Sequence, residues 1–175
     1  MEGGSASLLG WVLGLQTVAQ ILMLPFGGVI ADKFGRVKVL ALSDLIGGSV
    51  MIYQSIRFIG GQPPIWVLFF AQITFGLTMA LFWPSFGGLM PAIIEEKDLQ
   101  KANSTLQFVA NLAIILGTAV GGFIVATLGS TLALFIDACT YLVCGAVVYT
   151  MRKLVPPSKS ETTMWDDLKI GRAHV

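Results

Sequence analysis

Five long apolar stretches constrain this chain more than any other feature of its sequence. They cover residues of about 8–31, 39–59, 65–90, 106–128 and 131–151. An α-helix needs about 20 apolar residues to cross roughly 30 Å of hydrocarbon. Most of the stretches reach that length, and the second does so only if Arg57 lies near a membrane surface. We therefore predict an all-α, polytopic membrane protein with about five transmembrane helices.

The composition also favours a membrane protein. Hydrophobic residues make up 55% of the 175 residues and charged residues 12%, whereas a soluble domain carries roughly 25% charged residues. Backbone groups in lipid must be satisfied within the spanning segment, so the spans are expected to be helices. The sequence lacks the basic stripe with interleaved aromatic residues that is typical of nucleic-acid binding, so we expect no nucleic-acid partner. The expected partner of most of this surface is the lipid bilayer.

The positive charges predict the orientation. Of the 11 Lys and Arg residues, all except Arg57 fall between spans one and two, between spans three and four, or after span five. With five crossings, these three segments lie on one side, which the positive-inside rule makes cytoplasmic. We therefore expect a multi-pass protein of the cell (inner) membrane, with the N-terminus of this chain outside and its C-terminus in the cytoplasm.

The two ends of the chain carry predictions about its extent. Residues 1–7 form an outer stub without the features of a signal peptide, so we expect a further helix before them. Residues 152–169 begin a cytoplasmic loop. Residues 170–175 match one reading frame of a sequencing adapter, which would make them a read-through scar, with an ordinary polar tail as the alternative. If they are a scar, His174 has no functional meaning.

A motif of glycine, aspartate and basic residues lies between spans one and two. It comprises Gly28, Asp32, Lys33, Gly35, Arg36 and Lys38. We expect Gly28 to let two helices approach closely and Gly35 to permit a tight turn. The spacing resembles the signature loop between the second and third helices of the major facilitator superfamily. Over residues of roughly 8–153, the resemblance implies helices two to six of a bundle of three-helix repeats with a substrate site near the membrane midplane. It also implies that the loop latches the cytoplasmic ends of two halves, although the basic residues alone could be topological anchors.

Two further motifs refine this resemblance. Small residues in the fourth span, Ala113, Gly117, Gly121 and Gly122, form a flat stripe suited to close helix packing. The stripe is similar to a fifth-helix motif of the family's exporters, although Thr118 stands where proline is usual. Pro84, Pro91 and the Ala102-Asn103 pair resemble the macrolide-efflux branch. Pro84 is also expected to kink the third span.

Two carboxyl groups lie inside spans. Asp44 is five residues into the second span and Asp137 six residues into the fifth, or about 7.5 and 9 Å deep. Ionisable groups at such depth are functional candidates by default, and either could carry a proton for coupling. The alternative is a structural role near the interface.

Other polar and aromatic side chains within spans could line a cavity for a hydrophobic substrate. They are Gln16, Gln20, Gln72, Phe75, Gln107 and Asn111. Interhelical hydrogen bonds and lipid-facing rings are equally consistent with these positions. The sequence has no phosphate-binding loop, catalytic triad or metal-ligand cluster. We therefore expect no cofactor, no metal and no enzymatic activity.

The resemblance implies a secondary active transporter. We expect export of a hydrophobic drug or metabolite by alternating access, coupled to protons. The missing second half of the chain would be its main protein partner, so the fragment is expected to be inactive alone. An uptake permease of the same superfamily or a non-transporting structural membrane protein is the alternative.

Overall fold

The computed structural model describes residues 6–61, 63–153 and 155 of the chain. These form four long helices: α1 (Ala6–Phe34), α2 (Arg36–Ile59), α3 (Ile65–Ile93) and α4 (Leu99–Thr150). Each is long and apolar enough to cross a membrane. The predictions for residues 1–5 and 156–175, including the adapter-like end and His174, lie outside the described residues.

Helix α4 contains both the fourth and the fifth predicted spans. Its 52 residues would extend about 78 Å if straight, more than twice the thickness of the hydrocarbon core. Gly129 interrupts the helical geometry with φ 82° and ψ 162°. It divides α4 into a first arm, residues 99–128, and a second arm, residues 130–150.

The conformation of Gly129 predicts a measurable strain if the glycine is replaced. Its φ and ψ fall in a region that only glycine adopts readily. The space around its Cβ position is open, so any effect of Gly129→Ala comes from the backbone rather than from a collision. We expect Gly129→Ala to lower the free energy of unfolding by about 2 kcal/mol, measured by thermal denaturation in detergent. A stability equal to that of the parent protein would show that the two arms join differently.

The helices pack as two pairs that share a central contact. Gly76 of α3 lies against Gln16 of α1, and Gly27 of α1 lies against Ala80 of α3, so the two helices run parallel. Helix α2 contacts α3 near Gly47. The second arm runs antiparallel to α2, because Ser55 donates a hydrogen bond to the carbonyl of Thr131 while the α2 N-terminal region lies against Gly145.

This arrangement gives the bundle two distinct ends. The α1–α2 turn, the C-terminus of α3 and the C-terminus of the second arm meet at one end, which we call the motif end. Basic residues Lys33, Arg36, Lys38, Lys97, Arg152 and Lys153 lie there. Arg57, in the last turn of α2, lies at the opposite end.

Alanine and valine make up most of the buried apolar residues, and large apolar residues cover the outside of the bundle. Ala31, Ala41 and Ala80 are buried, as expected where backbones approach closely. Trp11 and Ile59, by contrast, are 74% and 75% exposed. Such an apolar exterior is unfavourable in water and suits a lipid environment. The described residues therefore form a helical membrane bundle.

The first arm lies apart from the other helices. Within the described part of the chain, none of its residues is buried. Gly117, Gly121 and Gly122 have nothing within 4 Å of their Cβ positions. The small-residue stripe that includes Ala113 therefore has no packing partner among the described residues, and its role in helix packing stays a prediction.

Candidate functional site

The motif between α1 and α2 is a turn of a single residue. Gly35 adopts φ 92° between the last residue of α1 and the first of α2. Its N–H donates to the Ala31 carbonyl at 2.9 Å, and its own carbonyl accepts from Lys38 and Val39. A side chain at this positive φ would be strained. The glycine thus lets one helix end and the next begin without a loop.

Arg36 connects this turn to the end of α3. Its Nε and Nη2 atoms lie 3.0 and 2.9 Å from Oδ1 of Asp32, one helical turn earlier. Its Nη1 donates to the backbone carbonyl of Gly88. The guanidinium fills the space that a side chain at position 88 would need. One side chain therefore ties together α1, α2 and α3 at the motif end.

The other members of the motif play no part in this contact. Lys33 and Lys38 are exposed, and the Lys33 ammonium lies 5.7 Å from the Phe34 ring centroid. Gly28 was expected to permit close helix approach, but it has nothing within 4 Å of its Cβ position. Gly27 instead lies at the α1–α3 contact, beside the Ala80 carbonyl and the Pro84 ring.

The Ala80 carbonyl at this contact lacks its usual helical donor. Pro84 has no N–H to give to the residue four positions earlier. Pro84 and Pro91 both lie inside α3, which runs unbroken from Ile65 to Ile93. The kink at Pro84 therefore stays a prediction. Gly27 of α1 fits against the Ala80 carbonyl, which Pro84 leaves without a helical donor.

The two intramembrane carboxyl groups occupy different environments. Asp44 is only 3% exposed, at the contact between α2 and the second arm. The Cys144 thiol forms a hydrogen bond with the Asp44 carboxyl group. The Oδ2 atom of that carboxyl has no partner among the described residues. Asp137 is exposed on the second arm, next to the buried Ala138.

A cavity of about 240 Å³ lies between α1, α2, α3 and the second arm. We call it the amide pocket, because Gln16, Gln54 and Gln72 line it. Its other lining residues are small or apolar: Gly47, Val50, Met51, Ala71, Phe75 and Leu134. The Phe75 ring also packs edge-on against Tyr141, with centroids 5.9 Å apart. The pocket lies nearer to the end that carries Arg57 than to the motif end.

The amide pocket contains some of the predicted cavity residues and not others. Gln16, Gln72 and Phe75 meet there. Gln20 is half-buried on α1 but does not line the pocket. Gln107 and Asn111 are exposed on the first arm, where the Gln107 amide lies 3.5 Å from the Asn111 side-chain oxygen.

Sequence reasoning missed the contribution of α2 to this pocket. Gly47, Val50, Met51 and Gln54 line it at spacings of three, four and seven residues, which is one face of a helix. Gln54 is the polar member of that face. A search for an amide placed on the same face as a small residue would have found it.

The family follows from a comparison of the whole chain with known families. The model of the Major Facilitator Superfamily matches residues 3–173. The chain belongs to this superfamily. The family match thus covers nearly the whole sequence, whereas the resemblance noted above rested on a few motifs such as the Gly28–Lys38 segment.

Curated relatives in Bacillus subtilis (strain 168) include transporters and exporters. BacE, described as a candidate bacilysin exporter, is 29% identical over 155 residues, covering 86% of this chain and 38% of its own length. Multidrug resistance protein 2 is 26% identical over 120 residues, 69% of this chain and 29% of its own. The MFS-type transporter YqjV is 27% identical over 156 residues, covering 89% and 37%.

The chain thus spans less than two fifths of the length of these relatives. Their names describe transporters rather than enzymes, which agrees with the prediction that this chain is not an enzyme. No solved structure matches the chain.

Proposed function

We propose that this chain forms part of a secondary active exporter that moves a hydrophobic drug or metabolite by alternating access, coupled to proton entry. Membership of the superfamily and the exporter names among the relatives support this function. The motif end is then cytoplasmic, in agreement with its basic residues. The proposed location of the protein is the cell (inner) membrane.

The contact made by Arg36 is the observation that carries the proposal. The guanidinium joins Asp32, beside the α1–α2 turn, to the α3 carbonyl of Gly88. Charge-assisted hydrogen bonds of this kind are strong and directional. The contact holds three helix ends as one body, which a rocking half of a transporter requires. Gly35 forms the turn of the proposed gate, and Lys33 and Lys38 supply its flanking charges.

The direction of transport can be tested in membrane vesicles. Everted vesicles that contain the full-length protein should accumulate labelled hydrophobic antibiotics when the lumen is made acidic. Collapse of the pH gradient with nigericin should stop the accumulation. If substrate accumulates instead in right-side-out vesicles under an inward proton gradient, the protein is an uptake permease. Equal distribution in both preparations would favour a structural membrane protein.

Asp44 is the proposed proton carrier, with Asp137 as a second candidate. The Asp44 carboxyl is buried between two helices and keeps one oxygen without a partner in the described residues. Asp44→Asn preserves the shape of the side chain and removes its titration. We expect gradient-driven accumulation in everted vesicles to fall to background while exchange of labelled for unlabelled substrate persists.

A matched control separates this effect from a general loss of charge. Asp98 is exposed beside α4, and Asp98→Asn should leave both assays unchanged. Asp137→Asn should reduce driven accumulation less than Asp44→Asn, because Asp137 is exposed. If Asp44→Asn keeps normal accumulation, or loses exchange together with accumulation, Asp44 does not carry the coupled proton.

A further inference from the structure

The amide pocket combines several polar groups with no charge. Among its lining residues there is no Asp, Glu, Lys, Arg or His. Three glutamine amides supply both donors and acceptors, since each has an oxygen and an NH₂ group. Phe75 and Met51 add apolar, polarisable surface. Such a lining matches the usual composition of a small-molecule site, in which a few polar groups converge in an apolar cavity.

The three amides are also not used by the fold. Within the described residues, none of Gln16, Gln54 and Gln72 makes a side-chain hydrogen bond. An amide without partners in a membrane interior is costly. Elsewhere in the bundle, polar side chains such as Ser43 and Thr78 bond to nearby backbone carbonyls. Three unbonded amides that face one cavity therefore indicate that a bound molecule or water satisfies them.

We propose that the amide pocket binds an uncharged solute that carries both hydrogen-bond donors and acceptors, such as an amide or an alcohol. A lipophilic cation would find no carboxylate there to offset the loss of its hydration. An uncharged amide can replace water at all three glutamines while its apolar part contacts Phe75 and Met51. The pocket thus selects neutral, hydrogen-bonding molecules over cations.

The size and position of the pocket define which part of such a molecule it takes. Its volume of about 240 Å³ lies below the range of roughly 300–1,000 Å³ for whole drug-sized ligands. The pocket therefore holds the polar group of a larger molecule or the whole of a small one. This inference rests on the proposed transport function, because it names the class of molecule that this half of the transporter recognises.

Binding of two probes tests the proposal. The full-length protein in lipid nanodiscs is titrated with radiolabelled chloramphenicol, which is neutral and has amide and hydroxyl groups, and with tetraphenylphosphonium, a cation without hydrogen-bond donors. We expect saturable chloramphenicol binding that Gln72→Leu weakens about fivefold and the double change Gln16→Leu with Gln72→Leu about twentyfold. Gln100→Leu, an identical change on an exposed part of α4, should leave it unchanged.

A gain of binding provides the second test. Gln72→Glu places a carboxylate in the pocket, so we expect tetraphenylphosphonium to bind about tenfold more tightly and chloramphenicol more weakly. A misfolded protein would not gain affinity for one probe. If the leucine variants bind chloramphenicol normally, or if Gln72→Glu does not change the preference, the pocket proposal is wrong. Vesicle flux measured on the same proteins keeps the two proposals distinct. Gradient-driven export by a protein whose leucine variants bind chloramphenicol normally would overturn the pocket proposal and leave the transport proposal standing.

Discussion

Arg36→Ala is expected to abolish gradient-driven transport by the full-length protein while leaving it inserted in the membrane. The substitution removes the ion pair with Asp32 and the hydrogen bond to the Gly88 carbonyl. A hydrogen bond that involves a charged group contributes about 1.5–3 kcal/mol. Loss of these contacts should therefore shift the balance between the two states of the gate by more than about tenfold.

Two companion substitutions assign this effect to the geometry of the guanidinium. Asp32→Asn keeps a hydrogen-bond acceptor beside Arg36 but removes the charge, so we expect an intermediate loss of flux. Arg36→Lys keeps the charge, but its single ammonium cannot reproduce the planar fork, so we expect it to restore little activity. Lys101→Ala removes an exposed basic residue near the same end of the bundle and should leave flux unchanged.

Initial rates of uptake into everted vesicles measure the effect, normalised to the amount of protein in the membrane. Equal losses in Arg36→Ala and Lys101→Ala would mean that positive charge at this end, and not the Arg36 contact, matters. Normal flux in Asp32→Asn and Arg36→Ala would mean that transport does not require the contact between Asp32, Arg36 and Gly88.

The sequence predicted the class of fold because lipid imposes a simple rule. A stretch of about 20 apolar residues in a bilayer has little choice other than a helix. The family resemblance of the Gly28–Lys38 motif was likewise readable, because glycine, aspartate and arginine recur there at fixed spacing. The comparison with known families confirms both the family and the partial helical bundle.

The faces that the helices present to one another were not readable in the same way. In a soluble protein, polar residues mark the outer face of a helix, but lipid is as apolar as the core. The motif glycine, Gly28, was therefore assigned a packing role that Gly27 has in the structure. Adjacent residues on a helix differ by about 100° in direction, so one position decides whether a glycine meets a neighbouring helix.

The amide pocket was predictable only in part for the same reason. Gln16, Gln72 and Phe75 were candidates because polar and aromatic side chains are notable within spans. Gln107 and Asn111 were candidates for the same reason, since they are also polar side chains within a predicted span. They lie on the first arm, away from the pocket. Whether a residue lines the pocket depends on the register between α1 and α3. That register is set by contacts between residues far apart in the sequence, such as Gly76 and Gln16, and the sequence does not show which residues meet.

Gly76 sets that register, and Gly76→Val is expected to destabilise the bundle strongly. A Cβ atom at position 76 would collide with the Gln16 carbonyl on the facing backbone of α1 and would press on the Ala19 methyl group. Backbone cannot move aside as the end of a flexible side chain can, so α1 and α3 must separate. We expect a loss of about 3 kcal/mol in the free energy of unfolding, at the upper end of the usual range for overpacked cores.

Gly14→Val provides the matched control for this prediction. Gly14 lies on α1 only two residues from Gln16, yet nothing lies within 4 Å of its Cβ position. The same substitution there should be neutral or slightly stabilising, because glycine is a poor helix former. Thermal unfolding in detergent, followed by the fraction of protein that stays monodisperse, measures both variants. Because Gln16 lines the amide pocket, Gly76→Val should also weaken chloramphenicol binding. Equal thermal stability of the two variants would mean that α1 and α3 do not pack in this register.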